Sequence, residues 1–497
     1  MLPIGLAYLA SSLKAAGHRV SVVDAVGEAV DQYTTVPRWD RALLHGLLPE
    51  QVAARIPPDT EVVGISAMFS VEWPFTTAVI GAVRAAFPHA LIILGGEHVT
   101  ACPEYILQTC PAVDICALGE GEEVLLEILA AWRPVQAWGE IKGVVFLRGS
   151  EIVNTGPRPR IRDIDNIPEP DWELFPVENY MARSMNLGAD LGRSMPLLAS
   201  RGCPYECTFC SSPFMWTTRW EARKPELVIA EMKRYIARYG AVNFDFYDLT
   251  AIVKREWILE FSRLLASENL GVTWQLPTGT RSEAIDAEVA GWMHRSGGRI
   301  VNYAPESGSP DELRRIKKKV NVDRMLDSVR QAHLSGLQVK ANFIFGMPGA
   351  DWKNIRETFG FIARLAWVGA DDISAFGYSP YPNSELFEQL RREGRLKMDA
   401  DYFESLLAYS DPFYSVSYNE NLSSARLRMV NAAAMGWFYG LSFLFRPQRF
   451  AVLLYKLLTK DNSTKLTMAL AYRRRKTAAL NLARRSGQRT VVAEAPR

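Results

Sequence analysis

The chain lacks several features that would place it in a specialised class of protein. Its six cysteines in 497 residues are too few for a disulfide scaffold. Lys and Arg residues number 57 against 55 Asp and Glu residues, so net charge gives no general attraction to nucleic acid. No basic segment precedes the apolar stretch of residues 1–18, which predicts an amphipathic helix rather than a secretory signal. These absences favour a cytoplasmic, reducing location and no nucleic-acid partner.

What is present is the composition of an ordinary globular protein, with 48% hydrophobic and 23% charged residues. The length predicts two to four domains. Up to about residue 150, β-branched runs alternate with helical patterns such as residues 75–87. Strands are predicted at residues 18–25, 61–69, 90–98 and 113–122. This alternation predicts a doubly wound parallel sheet with helices on both faces.

Three consecutive strands of this block end in turns of small and polar residues, "SAMF", "GGEH" and "GEGE". Ligands of such sheets bind at the carboxyl ends of the strands, and glycine lets the backbone approach a bulky ligand closely. Each glycine alone could equally mark a tight turn, but together the turns favour a ligand site. Its candidate residues are Ser66, Met68, Gly95, Gly96, Glu97, Gly119, Glu120 and Gly121.

The string "RGCPYECTFC" contains three closely spaced cysteines, Cys203, Cys207 and Cys210. Three thiolates can hold three irons of a [4Fe-4S] cluster, and the fourth iron then remains open to a substrate or cosubstrate. The alternatives are a zinc ion completed by a remote histidine, or coincidence. No His or Cys occurs in the 80 residues after Cys210, which weakens the zinc alternative. The other cysteines, Cys102, Cys110 and Cys116, have no metal-like spacing and are expected to be buried.

Both blocks resemble parts of one enzyme family. "PIGLAYLASSLKAAGH", "VVDA", "VVGISAMF", "ILGGEH" and "ALGEGE" are similar to the cobalamin-binding domain that precedes many radical S-adenosylmethionine (SAM) enzymes. "RGCPYECTFC" resembles the radical SAM signature, and the likeness extends over residues 196–395. The resemblance implies a cobalamin-dependent radical SAM enzyme with a [4Fe-4S] cluster on the three cysteines, SAM and cobalamin.

The chain departs from that family in two places. The apolar strand that usually precedes "PIGLAYL" is absent, and without this central strand backbone groups would be unpaired in a core, so we expect an upstream or misassigned start. The signature D-x-H-x-x-G, which supplies a histidine to cobalt, is also absent. We therefore expect no histidine ligand to cobalt, whether from His98 or from another position.

The second block predicts six strands, at residues 196–200, 242–248, 272–279, 299–307, 338–346 and 372–380. Helical patterns such as residues 225–240 and 321–336 separate them, which predicts an open, partial (β/α)6 barrel with its chemistry at the carboxyl ends of the strands. By resemblance, Asp248, Glu306, Ser307 and Asn342 contact SAM; otherwise they are cap or turn residues. Leu249 stands where the family usually has a second aspartate, so that contact is in doubt.

Beyond residue 395 the pattern becomes helical and rich in aromatic residues. Residues 429–445 are uncharged, at the lower limit of a membrane span, and Asn431, Gly436 and Gly440 weaken that interpretation. The favoured interpretation is a buried helix that covers the barrel mouth or shapes a substrate pocket. The alternative is a helix on the inner face of a membrane, where the last 27 residues, with eight Lys or Arg and one Glu, contact anionic lipid.

The predicted domains are a cobalamin-binding domain (1–150), a linker (151–195), a radical SAM partial barrel (196–395) and a helical C-terminal region with a basic tail (396–497). The resemblance implies methylation of an unactivated carbon through a 5′-deoxyadenosyl radical and methylcobalamin. Two alternatives remain: oxidative ring closure, since "SSPFMWTTRW" resembles the anaerobic cyclase of chlorophyll synthesis, and a non-catalytic cobalamin or redox sensor. The expected partners are an external electron donor and a small substrate, with an apolar or lipid-like one suited to membrane contact.

Overall fold

A computed structural model describes residues 1–36, 39–132, 135–409 and 414–459. The strands are β1 Tyr33–Val36, β2 Trp39–His45, β3 Val62–Ser66, β4 Leu91–Gly95, β5 Ile115–Ala117, β6 Val144–Arg148, β7 Glu151–Asn154, β8 Ser194–Leu197, β9 Ser200–Arg201, β10 Glu221–Ala222, β11 Asn243–Phe246, β12 Thr273–Thr280, β13 Gly298–Glu306, β14 Gln338–Phe345 and β15 Asp372–Gly377.

The α-helices are α1 Ile4–Ala15, α2 Pro49–Arg55, α3 Trp73–Ala86, α4 Glu97–Ala101, α5 Pro103–Thr109, α6 Gly121–Ala130, α7 Val177–Ala182, α8 Ser212–Trp216, α9 Pro225–Tyr239, α10 Arg255–Glu268, α11 Ala287–Arg295, α12 Pro310–Arg315, α13 Val322–Leu334, α14 Trp352–Val368, α15 Glu385–Arg392, α16 Ala400–Ser405, α17 Ser424–Phe445 and α18 Gln448–Thr459. Within the described ranges, no helix has the length and hydropathy to cross a membrane.

The first sheet has the strand order β3-β4-β5-β6-β7. Strands β3, β4 and β5 are parallel, as predicted, and place the turns that follow them at one edge. Strand β4 is buried from Leu91 to Leu94, as expected of a parallel strand covered on both faces. The hairpin β6–β7 extends the sheet with antiparallel pairing that the sequence pattern did not predict.

The strand predicted at residues 18–25 is wrong, because this segment makes no ladder. A strand forms only where a neighbouring strand pairs with its backbone groups, and no described strand forms a ladder with this segment. Strand β3 is consequently an edge strand, with Gly64 and Ser66 exposed to solvent. The chain instead forms a separate antiparallel hairpin, β1–β2, which was not predicted.

The second sheet contains all six predicted strands in chain order, β8-β11-β12-β13-β14-β15, and every pairing is parallel. The sheet is open because its end strands β8 and β15 do not pair with each other. Helices α9, α10, α11, α13 and α14 contribute apolar side chains to the core that covers it. The α/β architecture with a partial barrel is therefore confirmed, and the carboxyl ends of its strands meet at one face.

The segment predicted as a linker, residues 151–195, is packed rather than extended. It contains β7 and α7, and Trp172, Phe175 and Tyr180 are buried in the same core as the second sheet. The side chain of Tyr180 also donates a hydrogen bond to Asp24, 2.8 Å away. This segment thus connects the N-terminal region to the barrel through buried contacts.

Helix α17 contains the uncharged run, but it lies along β15 instead of across the barrel mouth. The other favoured role, shaping a substrate pocket, stays a prediction. The helix runs antiparallel to β15, with Leu427 beside Gly377 and the Tyr439 hydroxyl 2.5 Å from the Asp372 carboxylate. Val430, Ala434 and Phe438 are buried on this side, so α17 covers the free edge of β15. The basic tail lies outside the described residues.

The core of the barrel predicts a large effect of one substitution. Phe261 on α10 is fully buried, and its ring lies 5.5–5.6 Å from those of Phe246, Trp257 and Trp274. We expect Phe261→Ala to lower the free energy of unfolding by about 4 kcal/mol, because a cavity replaces these contacts. Urea unfolding followed by circular dichroism measures this, with the exposed Leu334→Ala as control. Equal urea midpoints for the two variants would show that Phe261 does not pack in the core as described.

Candidate cluster and cofactor site

The three predicted cluster ligands lie on the loop between β9 and α8. Cys203, Cys207 and Cys210 are unpaired thiols, and burial raises the pKa of each, that of Cys210 to about 12. Charge on Cys207 and Cys203 also raises the pKa of Cys210, so the three sulfurs are electrostatic neighbours.

Among the described residues, no three His, Cys, Asp or Glu side chains converge closely enough to hold one metal ion. A [4Fe-4S] cube needs no such convergence, because each thiolate binds a different iron. Cys102, Cys110 and Cys116 are buried, as predicted.

Two buried cations flank this loop, and the sequence analysis singled out neither. The Lys318 ammonium lies 2.9 Å from the Glu306 carboxylate and 5.9 Å from the centre of the Phe209 ring. The Arg281 guanidinium stacks 3.8 Å from the centre of the Tyr205 ring. Both positive charges oppose the effect of burial on the pKa of Cys203. They favour thiolate ligands and an anionic group beside the loop.

Asp248 follows β11 at the carboxyl end of the sheet and is fully buried. Its carboxylate accepts hydrogen bonds from the Ser200 hydroxyl at 2.5 Å and from the Ala199 amide at 3.2 Å. Burial raises its pKa to about 6. The side chain therefore holds the segment that leads into the cysteine loop. Its predicted contact with SAM remains a prediction.

The other predicted SAM contacts are Glu306 and Ser307 at the end of β13 and Asn342 within β14. Glu306 has a φ of 65°, a conformation that is costly for a residue with a side chain and that occurs often at functional sites. The Ser307 hydroxyl donates to the Glu312 carboxylate, 2.7 Å away. Asn342 alternates with the buried Ala341 and Phe343 along β14, so it lies on the opposite, inner face of the sheet.

Unpaired polar atoms surround the same face. Buried hydroxyl and amide oxygens without a hydrogen-bond partner among the described residues occur beside the cysteines, at or just after the ends of β11, β12 and β15, and within β13. They belong to Thr208, Ser212, Thr250, Thr280, Asn302 and Ser379. A buried polar atom without a partner is costly, so a cluster of them indicates that a polar ligand completes the face. The residues present therefore fit SAM, which carries hydroxyl, amino and carboxylate groups.

The eight candidate residues of the first sheet lie at adjacent turns. Ser66 is paired with Gly95, and Gly96 has a φ of 116°, where an added Cβ would lie 2.7 Å from the Ala67 carbonyl oxygen. Gly119 also has a positive φ, 75°, and open space around it. Ser66, the last residue of β3, and Met68, two residues after it, are exposed. These turns leave accessible backbone, which fits the approach of a large planar cofactor.

His98 lies inside this region, behind the turns. Its ring is buried beside Trp73, with Nδ1 2.9 Å from the Ser70 hydroxyl oxygen, and burial lowers its pKa to about 3. The imidazole is therefore neutral and held by its neighbours. The expectation that no histidine binds cobalt stays a prediction.

Buried ion pairs connect the last of these turns to the cysteine loop. Arg201, two residues before Cys203, donates to Glu122 at 2.5 Å and to Glu120 at 3.3 Å. Arg160 donates to Glu120 at 3.1 Å and to the carbonyl oxygens of Trp216 and Arg219 at 2.9 and 2.7 Å. All four charged side chains are at most 10% exposed. Glu120 and Glu122 thus hold the cysteine segment rather than facing solvent.

The turn after β4 also contacts this segment, and the residues after β3 share an apolar cluster with it. The Glu97 carboxylate accepts a hydrogen bond from Ser211, the residue after Cys210. Phe209 packs in an apolar cluster with Ala67 and Trp73, which follow β3. The carboxyl ends of the two sheets therefore meet, which the sequence patterns did not reveal. The residue of the sequence that could have indicated this contact is Arg201, which belongs to the string "RGCPYECTFC".

The comparisons with known proteins agree with this arrangement. An uncharacterized methyltransferase of Pyrococcus horikoshii is 29% identical over 387 residues, which cover 78% of each chain. The cytidylyl-2-hydroxyethylphosphonate methyltransferase of Streptomyces wedmorensis is 29% identical, over 79% of this chain and 78% of its own. The anaerobic magnesium-protoporphyrin IX monomethyl ester cyclase of Cereibacter sphaeroides is 28% identical, over 78% and 60%.

Two solved structures share the fold. OxsB, a cobalamin-dependent SAM radical enzyme with aqua-cobalamin and SAM bound, matches 96% of this chain and 73% of its own with a TM-score of 0.66 and 14% identity. TsrM is a radical SAM methyltransferase of Kitasatospora setae whose structure has cobalamin and a [4Fe-4S] cluster bound. It matches 79% of this chain and 75% of its own, with a TM-score of 0.61 and 17% identity.

The ion pairs predict that substitutions of two neighbouring glutamates lower the free energy of unfolding by different amounts. Glu122→Gln leaves the buried Arg201 short of a counter-charge, so we expect a loss of about 3 kcal/mol in the free energy of unfolding. Glu123→Gln is the control, because Glu123 pairs with Arg158 while 54% exposed, and its loss should stay below about 1 kcal/mol. Urea midpoints measure both. The assignment fails if Glu122→Gln is as stable as the control.

The raised pKa of Asp248 predicts that the stability of the fold depends on pH. Its folded pKa of about 6 lies above the value of about 3.9 for an unfolded chain, so the folded state holds the proton more tightly. Stability relative to Asp248→Asn should therefore increase as pH falls from about 6 to 4. Urea midpoints at several pH values test this, with the exposed Asp327→Asn as control. A relative loss of stability on acidification would mean that the folded pKa is depressed.

Family models match both blocks: the B12 binding domain matches residues 1–129, and the Radical SAM superfamily matches residues 197–362. These matches lie on the sheet with the three turns and on the sheet with the cysteine loop. The cofactors are accordingly cobalamin, a [4Fe-4S] cluster and SAM. The chain belongs to the family of cobalamin-dependent radical SAM enzymes.

Proposed function

We propose that this enzyme methylates an unactivated carbon of a small molecule, with cobalamin at the turns after β3, β4 and β5. One observation carries the proposal: two of those turns contact the cysteine segment, through Glu97 and Glu120. A methyl donor and a centre that activates a C–H bond must act on the same substrate carbon. The contact between the two faces supports such a shared site. Two of the relatives described above are named methyltransferases.

When bound, the cluster and SAM supply the one-electron chemistry that activates a C–H bond, and cobalamin supplies the methyl group. Cys203, Cys207 and Cys210 would hold the cluster at three of its irons. Lys318 and Arg281 place positive charge beside them, where the carboxylate of SAM or the charge of the cluster would be stabilised. Phe209 packs against a buried apolar cluster, and this packing helps to exclude water from the cysteine loop.

We propose an apolar or lipid-like substrate, because large apolar side chains are exposed beside the cofactor segments. Phe69 follows β3, Leu249 follows β11, and Phe214 follows Cys210, and all three are exposed. A surface of this kind recognises apolar groups. An external electron donor would reduce the cluster. We place the enzyme in the cytoplasm, where thiols remain reduced.

Oxidative ring closure is the second candidate. The cyclase of Cereibacter sphaeroides is nearly as similar to this chain as the methyltransferases are, although this chain matches only 60% of that protein's length. A non-catalytic sensor would bind the cofactors without turnover. Products distinguish the three: a methylated compound, a dehydrogenated or oxygenated compound, or none.

The test is anaerobic reconstitution with iron, sulfide and cobalamin, followed by incubation with a reductant, methyl-labelled SAM and a small-molecule extract. We expect 5′-deoxyadenosine and a labelled product in mass spectra. Cys203→Ala should lower both at least 100-fold and remove the brown absorbance of the cluster. Cys110→Ala is the matched control, because this buried thiol lies in the first sheet's core, and it should retain both.

Two results would contradict the methyltransferase assignment. A product that has lost hydrogen or gained oxygen, with no labelled methyl group, would favour the cyclase-type reaction. Equal yields of 5′-deoxyadenosine from Cys203→Ala and the wild-type protein would remove the cluster from the reaction.

A further inference from the structure

We propose that α18 and the end of α17 form a surface that binds an anionic lipid bilayer. Helix α18 buries none of its residues. We define its outer arc as the exposed residues of the helix, which carry no charge. They are Gln448, Phe450, Ala451, Val452, Leu454, Tyr455, Leu458 and Thr459.

The charged residues of α18 are turned toward the protein. The Arg449 guanidinium donates to the Asp371 carboxylate at 2.5 Å and to the carbonyl oxygens of Gly369 and Ala370 at 2.9 and 2.6 Å. Lys456 is half-buried on the same side, opposite the outer arc. A surface helix of a globular protein normally has the reverse arrangement, with charges outward and apolar residues inward. The outer arc therefore requires an apolar environment.

The apolar surface continues from α18 onto its neighbours. Phe450 stacks edge-on with Phe443 of α17 at 5.4 Å, and Phe445 stacks edge-on with the exposed Trp367 of α14 at 5.0 Å. Leu444 is exposed between them. Rings such as Trp367 and Tyr455 are typical of the boundary between lipid and water, because they are apolar with a polar tip. Contiguous apolar patches of this kind mark an interaction site.

Charge identifies lipid as the partner. The 38 residues that follow α18 contain ten Lys or Arg and two Asp or Glu. Basic residues next to an anionic leaflet are attracted to its negative surface potential. A second copy of the chain would instead bring two strongly basic segments together, which like charges oppose. The 12 residues of α18 extend about 18 Å, so the helix would lie along the bilayer surface, whose hydrocarbon core is about 30 Å thick.

This inference goes beyond the proposed reaction and stands on separate observations. It also gives the outward aromatic residues a role that packing among the residues of the described ranges does not.

The experiment uses the full reconstituted chain and vesicles of phosphatidylcholine and phosphatidylglycerol in equal parts, with pure phosphatidylcholine for comparison. We expect cosedimentation with the anionic vesicles and at least tenfold weaker binding to the neutral ones or in 0.5 M salt. Leu454→Glu/Leu458→Glu changes two outer-arc residues that are 50% and 75% exposed, and should lower binding at least tenfold. Leu334→Glu, at a residue of α13 that is 71% exposed, is the matched control and should bind as the wild type does.

The proposal is overturned if the wild-type chain stays in the supernatant with both vesicles, or if the double variant binds as tightly as it does. A wild-type dimer that the double variant converts to a monomer, without vesicle binding, would assign the surface to a second copy. Slow hydrogen exchange in α18 that vesicles leave unchanged would assign it to another part of the same chain. The 5′-deoxyadenosine yield without vesicles, which the double variant should preserve, separates these outcomes from a failure of the proposed reaction.

Discussion

The site depends on the need to pair two buried arginines. Arg160 and Arg201 are almost inaccessible to water, and an unpaired charge in that position would cost several kcal/mol. Their carboxylate partners, Glu120 and Glu122, lie after β5, the last parallel strand of the first sheet. The two arginines are therefore paired with the two glutamates only when the carboxyl ends of both sheets are in contact. Folding itself thus sets the spacing between the turns after the parallel strands of the first sheet and the cysteine loop.

Further contacts fix the cysteine loop from its other side. Arg160 lies against Gly202, where an added Cβ would lie only 2.1 Å from the Arg219 carbonyl oxygen. The φ of Gly202, 89°, also favours glycine at this position. The strands β9 and β10 pair across the base of the loop, and Asp248 holds Ala199 and Ser200 in place. A loop constrained at so many points can present three thiols in one arrangement before a cluster binds. Such preorganisation limits the reorganisation that cofactor binding would require.

Much of this fold could be predicted from local pattern. Alternation of β-branched runs with helices was sufficient for all six barrel strands and for β3, β4 and β5, because each such element carries its own periodicity. Residues 18–25 have the same composition but lack a pairing partner, which no local pattern can supply. Helix α17 was recognised as a helix, while its place along β15 depends on contacts such as Tyr439 with Asp372. The cysteines were visible in the sequence, but Lys318 and Arg281 reach them only through the tertiary fold.

The central claim is that three cysteines hold a cluster whose fourth iron is open to SAM. Electron paramagnetic resonance of the reduced cluster, recorded with SAM labelled by ¹⁷O in its carboxylate or ¹⁵N in its amino group, tests it most directly. The account predicts hyperfine coupling from both labels and a changed spectrum on addition of SAM. An unchanged spectrum without coupling, or coupling from a protein nitrogen at the fourth iron, would contradict it.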